Sequence, residues 1–246
     1  MSDSSDSRVI PSAVIQARAP SGAVAVECRF GDAPVEQLLA AGPWRVFRWH
    51  RGQKHYSGSF WSATEGSLVI YESRLELARL LFADFDRSVS RIVAQPFLMT
   101  AQVEGAGRRH IPDFLLMTDS GPLVVDVKPA RRLARPEVAF TFAWSRWVIE
   151  SSGWRYEVWS EPEPVVLENI RFLSRCRRSW LFALDVVEAV DAAVPDGMTL
   201  GEAFTAVPEI KPKLVRATVL HLVWSGRLIA DLSVRLGSGS ALRRPA

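Results

Sequence analysis

The chain lacks any apolar run near the roughly 20 residues that a helix needs to cross a bilayer, which excludes a helical membrane protein. It has little cysteine. Cys28 and Cys176 alone cannot make a disulfide scaffold or a cysteine zinc site. Its four histidines, His50, His55, His110 and His221, form no His-Glu-x-x-His or other metal-binding spacing. No P-loop and no dinucleotide-binding fingerprint is present, so no nucleotide cofactor is expected. The opening Met1-Ser2-Asp3-Ser4-Ser5-Asp6-Ser7 is polar and acidic, unlike a signal peptide. A soluble, cytoplasmic protein without a membrane partner is expected.

Lysine is scarce as well. Of 30 basic residues only Lys54, Lys128, Lys211 and Lys213 are lysine. Arginine is the default cation here, so a lysine at a special place is informative, because lysine alone of the two can be tuned to give up its proton. What the chain does have is a globular composition over 246 residues, 48% apolar and 23% charged. The net charge of +3 is unevenly placed: residues 165–246 carry 11 basic and 8 acidic side chains, and the first 164 are balanced. That surplus is a mild sign of an anionic partner.

The pattern divides the chain into a leader over 1–20, an α/β domain over 21–164, a small helical domain over 165–236 and a flexible tail over 237–246. Strands are expected at 67–71, 89–99 (broken near Gln95-Pro96) and 154–159, and helices at 72–83 and 135–151. Ser160-Glu161-Pro162-Glu163-Pro164 has linker chemistry. Helices are expected beyond it at 166–178, 179–194, 199–207 and 213–225. One or two short strands over 228–236 complete the outline of a winged helix.

The chemistry concentrates in one hairpin. His110-Ile111-Pro112-Asp113-Phe114 leads into a strand, Asp119-Ser120-Gly121 turns, and Val124-Val125-Asp126-Val127-Lys128-Pro129 returns. Alternation places Asp126 and Lys128 on one face and Leu123, Val125 and Val127 on the other. If Asp119-Ser120 are the turn residues, Asp113 lies opposite Asp126; a shift of one residue puts it opposite Lys128. Either way two carboxylates and one ammonium converge. A hard divalent cation would relieve the repulsion, and Mg2+ is commonly held by one or two carboxylates plus substrate oxygens and water. Glu72 and Glu76, spaced i and i+4, share a helix face and offer a third carboxylate. Glu76 is expected deeper in that helix, and Glu72 in its first turn. His110 is expected at the surface.

Pro112-Asp113 and Asp126-Val127-Lys128 resemble the PD-(D/E)xK nuclease motif. Ser73-Arg74-Leu75-Glu76-Leu77 resembles the Ser-x-x-Glu-Leu element of TnsA, the endonuclease subunit of heteromeric transposases. The Leu-rich 77–85, Gln95-Pro96, Asp113-Phe114-Leu115 and Val127-Lys128-Pro129 follow in the family's order. The resemblance covers roughly residues 45–165 and weakens beyond. It implies a restriction-endonuclease-like α/β core, a mixed sheet flanked by helices, followed by a small winged-helix-like domain. It implies an active site of Glu76, Asp113, Asp126 and Lys128. Some members have Gln where Asp126 stands; an acid is the commoner choice in the wider superfamily. Asp113, Asp126, Glu76 and the Val127 carbonyl are the expected ligands of Mg2+, with Mn2+ able to substitute. The activity implied is hydrolysis of phosphodiester bonds at the 5′ ends of a transposon. The implied partners are double-stranded DNA at those ends, an integrase-fold transposase subunit and an AAA+ ATPase regulator. Arg131, Arg132, Lys54 and Arg48 are candidate DNA-contacting residues. The alternatives are a free-standing repair or resolvase nuclease of the same fold and a non-catalytic DNA-binding scaffold subunit.

Overall fold

A computed structural model of the chain describes residues 13–45 and 56–245. It is mixed α/β. In chain order the elements are β1 (Val14–Arg18), β2 (Val24–Arg29), α1 (Val35–Leu39), β3 (Gly58–Ser62), β4 (Ser67–Tyr71), α2 (Arg74–Phe85), β5 (Val89–Ala94), β6 (Leu98–Val103), β7 (Ala106–His110), β8 (Phe114–Thr118), β9 (Gly121–Val127), α3 (Ala130–Leu133), α4 (Pro136–Ser151) and β10 (Arg155–Trp159). Then follow α5 (Pro164–Leu173), α6 (Leu184–Ala193), α7 (Leu200–Ala203), α8 (Pro212–Trp224), β11 (Ile229–Ala230) and β12 (Leu242–Arg243). No helix among the described residues is long and apolar enough to cross a membrane.

The contacts gather into two compact units. Among the described residues, the first holds 13–45, 56–60, 68–76 and 89–160; the second holds 61–67, 77–88 and 161–245. The division near residue 160 falls in the Pro- and Glu-rich linker, but two earlier segments, including most of α2, belong with the C-terminal helices.

The first unit has two four-stranded sheets. One is antiparallel, in the order β2-β1-β6-β7. The other runs β10-β9-β8-β5, with β10 parallel to β9 and the other pairs antiparallel. Ile15, Met99, Leu115 and Val124 from these strands, with Phe97 just before β6, share one apolar core with Leu38 of α1 and Trp144, Val148 and Ile149 of α4. The expected leader over 1–20 is therefore corrected in its second half. Ala13, Ile15 and Ala17 alternate into the core, and β1 is a central strand rather than a mobile arm.

The hairpin register settles one open alternative. β8 pairs Phe114 with Val125 and Thr118 with Gly121 across the Asp119-Ser120 turn. One residue further along, Asp113 is opposite Asp126. The strand itself differs from expectation, because Val124, Val125, Asp126 and Val127 are all buried. Neighbours cover β9 on both faces, so alternation separates two buried sides and neither is a solvent face.

The second unit is mainly helical. α5 and α8 each start on a proline in the first turn, where its missing N–H costs nothing. Thr199 and Glu202 form a reciprocal capping box at α7. Asp84 is fully buried and accepts from Ser62 Oγ at 2.6 Å, Ala63 N at 3.0 Å and Thr64 N at 2.8 Å. The expected flexible tail is corrected too. β12 pairs with β11, Leu242 is fully buried, and Arg244 binds the Asp191 carboxylate and the Val194 carbonyl.

Candidate active site

Local chemistry explains how each acidic group arrives. Ser73 precedes α2 and its hydroxyl accepts from Glu76 N at 3.1 Å, capping the helix. The Glu76 carboxylate turns back to accept from Glu72 N at 2.6 Å. The Ser-x-x-Glu spacing is thus also a helix-start arrangement. Glu76 stands in the first turn, not deeper, and Glu72 precedes the helix, so the two do not share a helix face. Both nonetheless line the same cleft.

That cleft, about 510 Å3, belongs entirely to the first unit. Glu72, Glu76, Asp113, Asp126, Val127 and Lys128 line it, with Arg45, Arg109 and His110 among its basic side chains and Trp44 and Phe142 among its aromatics. The expected Glu76, Asp113, Asp126 and Lys128 are brought together from α2, the β8 entrance and β9.

Asp113 Oδ2 accepts from Val127 N at 2.6 Å, which ties the carboxylate to the end of β9. Burial pushes the Asp113 carboxyl well above its ordinary range, and the Asp126 and Glu76 charges push it further. The Val127 N–H bond and the Lys128 ammonium only partly oppose them. Burial also raises the Glu76 carboxyl, with the Glu72 N–H and the Ser73 hydroxyl pulling the other way. Lys128 is fixed at its backbone: its N–H donates to Trp159 O at 2.9 Å, and its carbonyl accepts from Ser160 Oγ at 2.8 Å. Its Nζ lies 5.9 Å from the Phe142 ring centroid.

Asp126 is held by two side-chain donors. His110 Nε2 lies 2.9 Å from Oδ1 and 2.8 Å from Oδ2, and the Tyr156 hydroxyl also donates to Oδ2. The carboxylate is 2% exposed. A carboxylate held from both sides in this way is a buried, satisfied group before any ion arrives. Its expected part as an ion ligand competes with His110 and Tyr156. His110, expected at the surface, is half-buried against it.

The donor set suits a hard divalent cation. Glu76 and Asp113 offer carboxylate oxygens, and burial is the main cause that raises both carboxyls. Among the described residues no three carboxylate, imidazole or thiol groups gather closely enough to hold an ion by themselves. Two carboxylates and the Val127 carbonyl would leave the remaining positions to water and substrate oxygens, the arrangement Mg2+ favours.

Of the expected DNA-contacting residues, Arg131 and Arg132 are exposed on α3 and do not line the cleft. Lys54 and Arg48 lie outside the described residues, as do His50 and His55. The sequence reading missed Arg109, Phe142 and Tyr156, and gave Gln95 only as part of the Gln95-Pro96 pattern. Tyr156 had no sequence signal, since its reach to Asp126 depends on the parallel pairing of β10 with β9. No family model matches the chain, and no curated protein matches it.

Proposed function

We propose that this chain is a metal-dependent DNA endonuclease, the TnsA-like subunit of a heteromeric transposase, which hydrolyses phosphodiester bonds at the 5′ ends of a transposon. The observation that carries the reading is the convergence of Glu76, Asp113, Asp126 and Lys128 in one cleft, from segments up to 52 residues apart in sequence. In this reading the first unit is a restriction-endonuclease-like core and the helical unit with its β11–β12 ribbon is winged-helix-like. The chain works in the cytoplasm on double-stranded DNA, beside an integrase-fold transposase and an AAA+ ATPase regulator.

Glu76, Asp113 and the Val127 carbonyl would hold the Mg2+. A bound Mg2+ supplies charge neutralisation at the scissile phosphate and makes a water more acidic. Lys128, the one lysine among the described residues lining the cleft, orients the attacking water and offsets charge developing on the phosphate. Asp126, clamped by His110 and Tyr156, fixes the end of β9 that presents Lys128. Arg45 and Arg109 at the cleft wall attract the DNA backbone without reading its sequence.

The test is Mg2+- or Mn2+-dependent nicking of supercoiled plasmid and of duplexes bearing transposon ends, with and without the partner transposase. Lys128→Ala is expected to lose nicking by about 100-fold or more and to keep its folded circular-dichroism spectrum. Nicking at the wild-type rate by that variant refutes the assignment. Cutting without any partner would favour a free-standing nuclease. DNA binding without cutting under any condition would favour a scaffold subunit.

A further inference from the structure

Gln95 lies between β5 and β6, is 7% exposed, and has a left-handed backbone with φ of 47°. Glu104 is the other described non-glycine residue of this kind, and it sits in the exposed β6–β7 turn beside Gly105, where such geometry is ordinary. Gln95 is in no hairpin. A buried side chain in this region is sterically disfavoured and persists only where its surroundings hold it there.

Four hydrogen bonds hold it. Gln95 N donates to Asp113 O at 2.8 Å, and Gln95 O accepts from Trp44 N at 3.0 Å. Its side-chain Oε1 accepts from Arg45 N at 2.9 Å, and its Nε2 donates to Glu72 Oε1 at 2.6 Å. The bend lets the main-chain oxygen and the carboxamide oxygen receive two successive N–H groups of one segment. The chain of bonds then continues, since Glu72 N–H donates to Glu76 Oε2 at 2.6 Å. One residue therefore joins the segment that carries Asp113, the turn that presents Glu76 and the Trp44–Arg45 wall.

We propose that Gln95 is the positioning residue of the cleft. It sets Glu76 against Asp113 and keeps the Glu72 carboxylate turned onto the wall, and so determines the affinity for the divalent cation. This deepens, and rests on, the reading of the cleft as a divalent-cation nuclease site. Gln95 touches neither ion nor substrate; it acts through Glu72 and the Asp113 main chain. Partners one shell out from metal ligands commonly govern affinity by about 10- to 100-fold.

The experiment measures Mn2+ affinity of the full chain by electron paramagnetic resonance, alongside thermal unfolding in EDTA. Gln95→Glu keeps the acceptor for Arg45 N–H but sets a second carboxylate against Glu72. It is expected to bind Mn2+ about 10-fold more weakly or worse. Adding Glu72→Gln to it exchanges donor and acceptor across the same bond and is expected to restore the affinity. Gln95→Gly tolerates the left-handed backbone and keeps the two main-chain bonds. It is expected to stay folded and still lose about 10-fold in affinity, and it carries the test should Gln95→Glu fail to fold. A residue of merely structural worth would lower the unfolding temperature and leave Mn2+ binding unmoved. Folded Gln95 variants with wild-type Mn2+ affinity overturn the inference alone. Absence of Mn2+ binding by the wild-type chain overturns the nuclease reading and the inference together.

Discussion

Replacing Asp113 with Asn should stabilise the ion-free protein, a direction opposite to that of most changes at a half-buried, hydrogen-bonded position. The amide oxygen of Asn can still accept from Val127 N, so the contact to β9 survives. What disappears is a negative charge facing Asp126 and Glu76. Residues directly opposite across a hairpin lie roughly 5 Å apart at Cβ. Two like charges at roughly that distance repel by about 3 kcal/mol at an effective dielectric of about 20. Lys128 cancels part of this and Glu76 adds to it, which leaves a gain of about 2 kcal/mol at neutral pH. For a chain of this size that raises the unfolding midpoint by roughly 4–8 °C.

The pH profile carries the same signature. Because the Asp113 carboxyl is raised above its ordinary 3.8, the folded protein binds that proton more tightly than the unfolded chain does. The linked stability is full below about pH 4 and is lost as the pH climbs through the raised folded value. Asp113→Asn removes that part of the fall. A divalent cation should act inversely, raising the midpoint of the wild type by mass action and the variant's much less. Thermal unfolding followed by circular dichroism, from pH 4 to 8 in EDTA and in Mn2+, measures all three effects. A variant no more stable than wild type in EDTA at pH 7, with an equal Mn2+ shift, would refute the reasoning.

His110→Ala leaves the buried Asp126 carboxylate with Tyr156 as its remaining side-chain partner, and should cost about 2–3 kcal/mol in urea unfolding. Asp84→Ala strips the acceptor from Ser62 Oγ, Ala63 N and Thr64 N inside the helical unit. It should cost about 3–5 kcal/mol by the same measurement, which a loss under 1 kcal/mol would contradict. Ending the chain after Leu236 removes Leu242 from the core and Arg244 from Asp191, and should destabilise the helical unit by about 3 kcal/mol. Unchanged amide exchange in α6 and α8 after that truncation would show that the C-terminal segment contributes nothing.

Several local signals were legible. Pro136 and the apolar run after it mark α4, and the Asp119-Ser120-Gly121 turn marks the hairpin, whose register the strand pairing decided. Ser73 and Glu76 could be read as a pair, although their helix-capping geometry was not drawn from the spacing. β1 was missed although Ala13, Ile15 and Ala17 alternate, because Pro11, Pro20 and the polar opening suggested a leader. β12 was missed because two residues, Leu242 and Arg243, shortly after a Gly-Ser repeat carry no periodicity.

The sequence by itself determined which groups exist and which neighbours along the chain share a side. Asp126 and Lys128 stand two apart on one strand, Asp113 faces them across a tight turn, and an acid follows Ser73 at a helix start. These are consequences of backbone period and turn length, which act over a few residues. Only the tertiary structure decided that β9 is buried on both faces, that His110 and Tyr156 clamp Asp126, and that Gln95 joins Glu72 to the Asp113 segment. Those relations depend on the pairing of strands distant in sequence and on the low-dielectric interior this pairing creates. Inside it two donors meet the Asp126 carboxylate, and burial raises the Asp113 carboxyl even though Val127 N donates to it.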